Sequence, residues 1–357
     1  MLNKNIKHFR IIGILILTIF ILCGSVALSA EPQKLLVGFA SWTMRFPWNV
    51  IDGEELQAKV DEINAQGKYK IELKITDAAG KREKFLSDIE DLLAQDVDIL
   101  MAIPMDAHDF LGWKDLVEKR RKETGKPLVY ASSGKIPWGG DIDTEAMGVD
   151  FAIASMDFND GKAIGEHFVA YLFGKKGKYE GKVAELRGVP GTGPDALRNA
   201  GFHSIIDQYP DIETVFDQTF KWSRMEAFQL TRVILQKFEP GTLDAIFAYN
   251  DGGGMGVLEA VTEAGREGEF LIYSHDGQSD VIRAIQEGKI AATAVFDRVA
   301  QKCLVKALDF LEGKKVEKVM SPPVIFITGG NVNKVLAPGG YIPFIVGEDV
   351  HWDLVNK

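Results

Sequence analysis

Arg198, Trp222, Asn250 and Asp276 stand just beyond the ends of short β-rich runs, where in parallel α/β folds the loops form the ligand crevice. A guanidinium offers a planar fork of donors. Asn and Asp ending successive strands supply the donor and acceptor pairs that polyol hydroxyls need, and an exposed indole suits the apolar face of a sugar ring. A second cluster, Ser41 to Asn49, follows the first apolar run and holds Trp42, Arg45, Phe46 and Trp48, with Pro47 placed for a first helical turn. Each residue has a plainer role open to it. Trp42, Phe46, Trp48 and Trp222 could plug a helix against a sheet, Arg198 could be a solvated helix arginine, Asn250 and Asp276 could serve only as helix caps, and Asp251 and Ser279 are good helix N-caps.

Other motifs are weaker. Gly191 to Ala196 fits G-x-G-x-x-A, the dinucleotide fingerprint, with Asp217 near the end of the next strand. Pro194, however, stands where a pyrophosphate would approach, and the loop lies at the sixth strand rather than the first. Gly252 to Gly256 lacks the Walker lysine and reads as close helix packing. Asp157 to Gly161 lacks the later ligands of a calcium loop and reads as a helix start. No histidine shows metal-ligand spacing, and G-x-S-x-G is absent. Catalytic residues, metal and cofactor are therefore expected to be none.

The elements that must position these residues alternate from Leu35 onward, β-rich runs with amphipathic stretches ending in Gly or Pro, which predicts an α/β fold of parallel sheets. Strands are predicted at 35–40, 69–76, 97–104, 127–132, 151–156, 182–189, 214–219, 245–250, 270–275, 290–296 and 324–328, too many for one ordinary sheet. Helices are predicted at 47–65, 81–94, 159–173, 194–208, 223–238, 254–264 and 299–311. A chain of 357 residues exceeds what one core usually supports, so two domains are expected.

Residues 1–30 read as a signal peptide. Lys4, Lys7 and Arg10 precede an apolar run from Ile11 to Cys23, and small residues end at Ala30. A lipid anchor would need a small residue before Cys23, and Leu22 stands there. Loss of three cations and no acids takes the formal net charge from −10 to −13, which argues against nucleic acid and anionic membranes as partners. Cys303 alone then remains, so no internal disulfide can form.

Taken in order, Phe46-Pro47-Trp48, Glu185 to Gly188 through Gly191-Thr192 to Phe202, Ala248 to Asp251, His275-Asp276-Gly277 and Gly288 to Thr293 resemble the sugar-binding proteins of bacterial ABC transporters, the ribose- and galactose-binding periplasmic group. The resemblance spans essentially all of the mature chain. It implies the type I periplasmic binding protein fold: two doubly wound parallel-sheet lobes joined by three crossovers, near 155–157, 296–298 and 322–324. The N-terminal lobe would be residues 31–156 with 297–322 and the C-terminal lobe 157–296 with 323–357. Trp48 and Trp222 would sandwich the ligand while Arg198, Asn250 and Asp276 hydrogen-bond it, with Arg45, Trp42, Phe296 and Ser132 also at the site. Ser132-Ser133 stands where ribose binders carry Asp-Arg, and Phe296 where they carry a hinge glutamine, departures that point to a different or less hydroxylated ligand. The implied protein is a monomeric, periplasmic, non-enzymatic substrate-binding protein that serves carbohydrate transport and docks on ABC permease subunits. Alternatives are a sensing subunit feeding a chemoreceptor or histidine kinase, or a secreted nucleotide-binding enzyme.

Overall fold

A computed structural model describes residues 31–336 apart from 46, 105–106, 125–128, 134–143, 146–147, 154–155, 296–298 and 321–322. The leader, Phe46, Trp138 and Phe296 lie outside the described residues, as do most of the residues expected to form the crossovers. So does the side chain of Ser132.

Among the described residues, twelve strands form two six-stranded sheets. The first contains β1 (Gln33–Ser41), β2 (Tyr69–Asp77), β3 (Ile99–Ile103), β4 (Val129–Ser133), β5 (Phe151–Ile153) and β11 (Val319–Met320) in the order β11-β5-β4-β3-β1-β2. The second contains β6 (Gly181–Arg187), β7 (Ile212–Thr219), β8 (Ala245–Ala248), β9 (Leu271–Asp276), β10 (Ala292–Val295) and β12 (Phe326–Thr328) in the order β12-β10-β9-β8-β6-β7. Each sheet is wound the same way, and every pairing is parallel except β10 with β12. The chain passes between sheets after β5, after β10 and between β11 and β12.

Three helices, α1 (Pro47–Ala65), α2 (Arg82–Ala94) and α3 (Ala107–Thr124), follow the first strands. Beside the second sheet lie α4 (Asp157–Lys176), α5 (Gly193–Ile206), α6 (Arg224–Lys237), α7 (Asp251–Glu263) and α8 (Ser279–Gln286), while α9 (Ala300–Leu311) returns to the first sheet and α10 (Val332–Val335) closes the described chain. The second sheet has one core, built around Phe168, Phe202, Phe247 and Tyr273. The first sheet has a core on each face: Val37, Phe39 and Leu304 on one, Phe85, Leu92 and Trp113 on the other. Cys303 is buried in the former, where burial pushes its thiol well up, and Asp52 of α1 accepts the Ala300 N–H at the start of α9 at 3.1 Å.

Most predicted elements recur with ends moved by a few residues. Absent from the sequence reading are α3, whose described side chains include the buried Trp113 and Val117, α8 and α10, which are short, and β11, only two residues long. Of the two cap candidates for α7, Asn250 fills the role, its Oδ1 accepting the Gly253 N–H at 2.7 Å, while Asp251 turns inward to complete burial. Ser279 is the first residue of α8 rather than its cap. The glycine run packs as expected, since side chains at Gly253, Gly254 and Gly256 would run into Phe220, Ser274 and the Arg224 carbonyl.

One helix contact decides the geometry of the site. On α4 and α5 a Cβ at Gly161 would overlap the Arg198 carbonyl, and one at Gly201 would overlap the Phe158 carbonyl. The two backbones touch, so the first turn of α4 is brought against Arg198. Gly201→Ala, which forces these backbones apart, should lower unfolding free energy by about 3 kcal/mol, read as a fall in the urea midpoint with m unchanged.

Candidate ligand-binding site

The winding order reverses between β1 and β3 in the first sheet and between β6 and β8 in the second, and crevices open beyond strand ends at such points. Arg198, Trp222 and Asp276 meet at the second of them. Across the second reversal, Arg198 of α5 donates from Nη1 to the carbonyl of Tyr249, which follows β8. Its Nε donates to Asp157 Oδ1 at 2.8 Å, and its Nη2 lies 3.7 Å from Asp276 Oδ1. The guanidinium carbon stands 5.6 Å from the Trp222 ring centre, a cation–π distance. At 3% exposure Arg198 is a buried, preorganised fork rather than a solvated helix residue.

Trp222 is placed by backbone strain and by a glycine. Lys221 and Trp222 both take left-handed φ values, 52° and 64°, in the turn between β7 and α6. The indole then lies on Gly188 at the end of β6, where any Cβ would overlap it. The ring also packs edge-on to Phe220, with centroids 6.0 Å apart, and stays partly exposed. Asp276 sits at φ 131°, a conformation rare for a residue with a side chain. Its carboxylate meets His275 Nδ1 at 3.2 Å and Gln278 Nε2 at 3.4 Å. Asn250 spends its oxygen on the α7 cap, which leaves the amide nitrogen as its donor.

Beneath Asp276 lies Asp251, whose Oδ1 accepts from Ser274 and Thr293 and whose Oδ2 accepts the Gln278 N–H at 2.6 Å. Burial, and then the neighbouring Asp276 charge, push the Asp251 carboxyl well up; burial does the same to Asp276, opposed by Arg198. Behind Arg198, buried Glu185 accepts from Tyr249 Oη at 2.6 Å and Thr214 Oγ1 at 2.9 Å, and meets His203 Nε2 at 2.9 Å. Burial alone would raise the Glu185 carboxyl, but these partners hold it below the usual range. The Glu185 bond lifts His203 to about 9.

In the first sheet the β1–α1 loop is pinned. Trp42 N–H donates to Ile103 O at 3.1 Å across that sheet's reversal, and Met44 N–H donates to Asp77 Oδ1 at 3.0 Å. Trp42 meets Phe85 edge-on at 6.4 Å, the helix-plug role it shared with a ligand role. Trp48 packs partly buried against the core beneath α1, and Arg45 is exposed. Ser132 pairs with Ala102 and Ala152 within its sheet.

Sequence reasoning missed Asp157, Asp160 and His275. Donor atoms of these three lie within 4.8 Å of one another, but the Arg198 guanidinium on Asp157 already supplies the positive charge there. The i, i+3 spacing of Asp157 and Asp160 puts both on one helix face, but their partners arrive only through tertiary packing, Arg198 from α5 and His275 from β9. The glycine loop does not suit a phosphate. Pro194 stands in the first turn of α5, and the Asp195 carboxylate occupies that helix end, paired with Arg187 at 2.8 Å.

This fold and these strand-end residues define a lobed binding protein, and the chain belongs to the periplasmic binding protein domain family, matched over residues 37–315. It is 30% identical to the ribose import binding protein of Bacillus subtilis (strain 168) over 300 residues, 83% of this chain and 88% of that one. It is 32% identical to the D-apiose import binding protein of Actinobacillus succinogenes (strain ATCC 55618 / DSM 22257 / CCUG 43843 / 130Z) over 192 residues, 51% and 58% of the two chains. Among solved structures, the periplasmic binding component of the arabinose ABC transporter from Shewanella sp. ANA-3, bound to α- and β-L-arabinofuranose, superposes with a TM-score of 0.70 at 25% identity, covering 84% of this chain and 93% of that one.

Removing Arg198 would take the neighbouring positive charge from the buried Asp157 carboxylate. Arg198→Met should therefore cost about 3–5 kcal/mol of stability, measured by urea unfolding. The raised His203 makes a second expectation. The folded chain holds a proton that the unfolded chain releases, so this stabilisation is complete below pH 6.5 and disappears as pH rises through about 9. Urea midpoints should fall across that window, and His203→Gln should lack that part of the fall.

Proposed function

We propose that the protein is the solute-binding component of an ABC importer and captures a small sugar or related polyol between two closing lobes. The lobes are residues 31–156 with 297–322 and 157–296 with 323–357. The observation that carries this reading is the convergence of Trp222, Arg198, Asn250 and Asp276 at the carboxyl ends of four adjoining strands, β7, β6, β8 and β9. Together they offer an aromatic face, a fixed guanidinium, an amide donor and a carboxylate acceptor. Trp48 is the opposing stacking face, and Arg45, Trp42, Phe296 and Ser132 complete the site from the other lobe and the hinge. The two relatives named for import take ribose and D-apiose, and the solved neighbour holds arabinofuranose, so a five-carbon sugar is the leading ligand.

The ligand favours the closed state because it touches both lobes only there. No bond is made or broken, and the closed monomer is delivered to permease subunits in the membrane. The signal peptide places the mature chain outside the cytoplasm. Among the described residues no helix is long and apolar enough to cross a membrane.

A thermal-shift panel of pentoses, hexoses, polyols, cyclitols and a few nucleotides on residues 31–357 tests the reading, since a ligand specific to the folded state raises the midpoint. A pentose should raise it, and Trp222→Ala or Asp276→Ala should weaken that sugar by roughly 30-fold or more. A shift with nucleotides alone would overturn the assignment.

A further inference from the structure

Asp276 is not held by the ligand-facing residues alone. Behind it runs a buried chain from α4 to the end of β9: Asp160 Oδ2 lies 2.9 Å from His275 Nε2, and His275 Nδ1 lies 3.2 Å from Asp276 Oδ1. His275 is completely buried and Asp160 is 2% exposed. A neutral imidazole carries one N–H and can donate to one carboxylate only. Two carboxylate contacts therefore require a second proton somewhere in the chain.

Two observations place that proton. The Asp160 Oδ1 atom is buried without a hydrogen-bond partner. An ionised carboxylate with a bare oxygen in the interior is far more costly than a neutral acid in the same place. Asp276, in contrast, has Arg198 Nη2 at 3.7 Å from Oδ1 and Gln278 Nε2 at 3.4 Å from Oδ2, donors that favour its anion against the burial that pushes its carboxyl up to about 7. The other charged or titratable groups around the chain are Asp157 on α4, which is already paired with Arg198, and Asp251 on α7, which has Ser274, Thr293 and the Gln278 N–H as donors. Burial raises the Asp160 carboxyl, and burial followed by the Arg198 charge keeps His275 below its ordinary value, so the imidazole is the neutral member of the chain.

We propose that Asp160 holds the second proton and donates it to His275 Nε2, and that His275, as the Nδ1–H tautomer, is a positioning residue that keeps the strained Asp276 an ionised acceptor for ligand hydroxyls. This rests on the reading above that Asp276 meets the ligand. Its consequence is a pH-dependent affinity: acidification that protonates Asp276 removes a charged acceptor, and loss of the His275 donor moves that acid limb to higher pH.

The test has a ligand-free arm and a binding arm. In mature protein carrying 15N-labelled histidine, long-range 1H–15N spectra should show His275 as a neutral Nδ1–H ring between about pH 5 and about pH 8; an Nε2–H ring or an imidazolium overturns the proposal. In calorimetric titrations with D-ribose, His275→Leu should weaken binding by about tenfold or more and start its acid loss at higher pH. His275→Asn, whose amide nitrogen can stand near Nδ1, should restore both the affinity and the profile. Equal behaviour of the two variants also overturns the proposal. Should the wild type not bind D-ribose at all, it is the choice of ligand that fails, and the ring spectra alone decide where the proton lies.

Discussion

The ion pair between Arg198 and Asp157 is the constraint on which the second sheet's site depends. Both partners are buried, so losing Arg198 would take the neighbouring positive charge from a carboxylate in the interior. Their meeting requires α4 and α5 to touch at Gly161 and Gly201. Once fixed, the guanidinium ties four parts of the chain together: the start of α4, its own helix, the carbonyl after β8 and the carboxylate after β9. A ligand arriving at this crevice meets an arginine whose fork is already oriented, so little rotamer entropy is lost on binding.

Strain is concentrated around the same place. Lys221, Trp222 and Asp276 are three of the five non-glycine residues with positive φ among the described residues. Such conformations persist only where the surroundings over-determine them. Here those surroundings are the Gly188 surface under the indole and the donors around the Asp276 carboxylate. Both sheets also share one winding order, so each presents its own reversal, with Trp42 bonded across one and Arg198 across the other.

Much of this was legible in the sequence because it is local. The alternation of apolar runs with amphipathic stretches marks the βα units, and the helix at 47–65 falls on its predicted bounds. The residues just beyond the strands follow from the crevice rule, which is why Trp222, Arg198, Asn250 and Asp276 could be named. What was hidden is tertiary. Asp157 and Asp160 look like an ordinary helix start until α5 and β9 bring Arg198 and His275 to them. Asp251 looks like a cap, because a cap and a buried acceptor at the first turn have the same residue type and spacing. Trp42 could stack on a ligand or on Phe85, and the edge contact with Phe85 appears only once α2 is packed on the sheet.

Cys303 gives the molecule one further property. It is the single cysteine of residues 31–357, and it lies wholly inside the core of the first sheet. A thiol so enclosed is out of reach of an alkylating reagent while that core is closed. Its labelling rate therefore reports the opening of one half of the molecule and is silent about the other, so the native sequence carries its own means of asking whether the two halves unfold together or in turn.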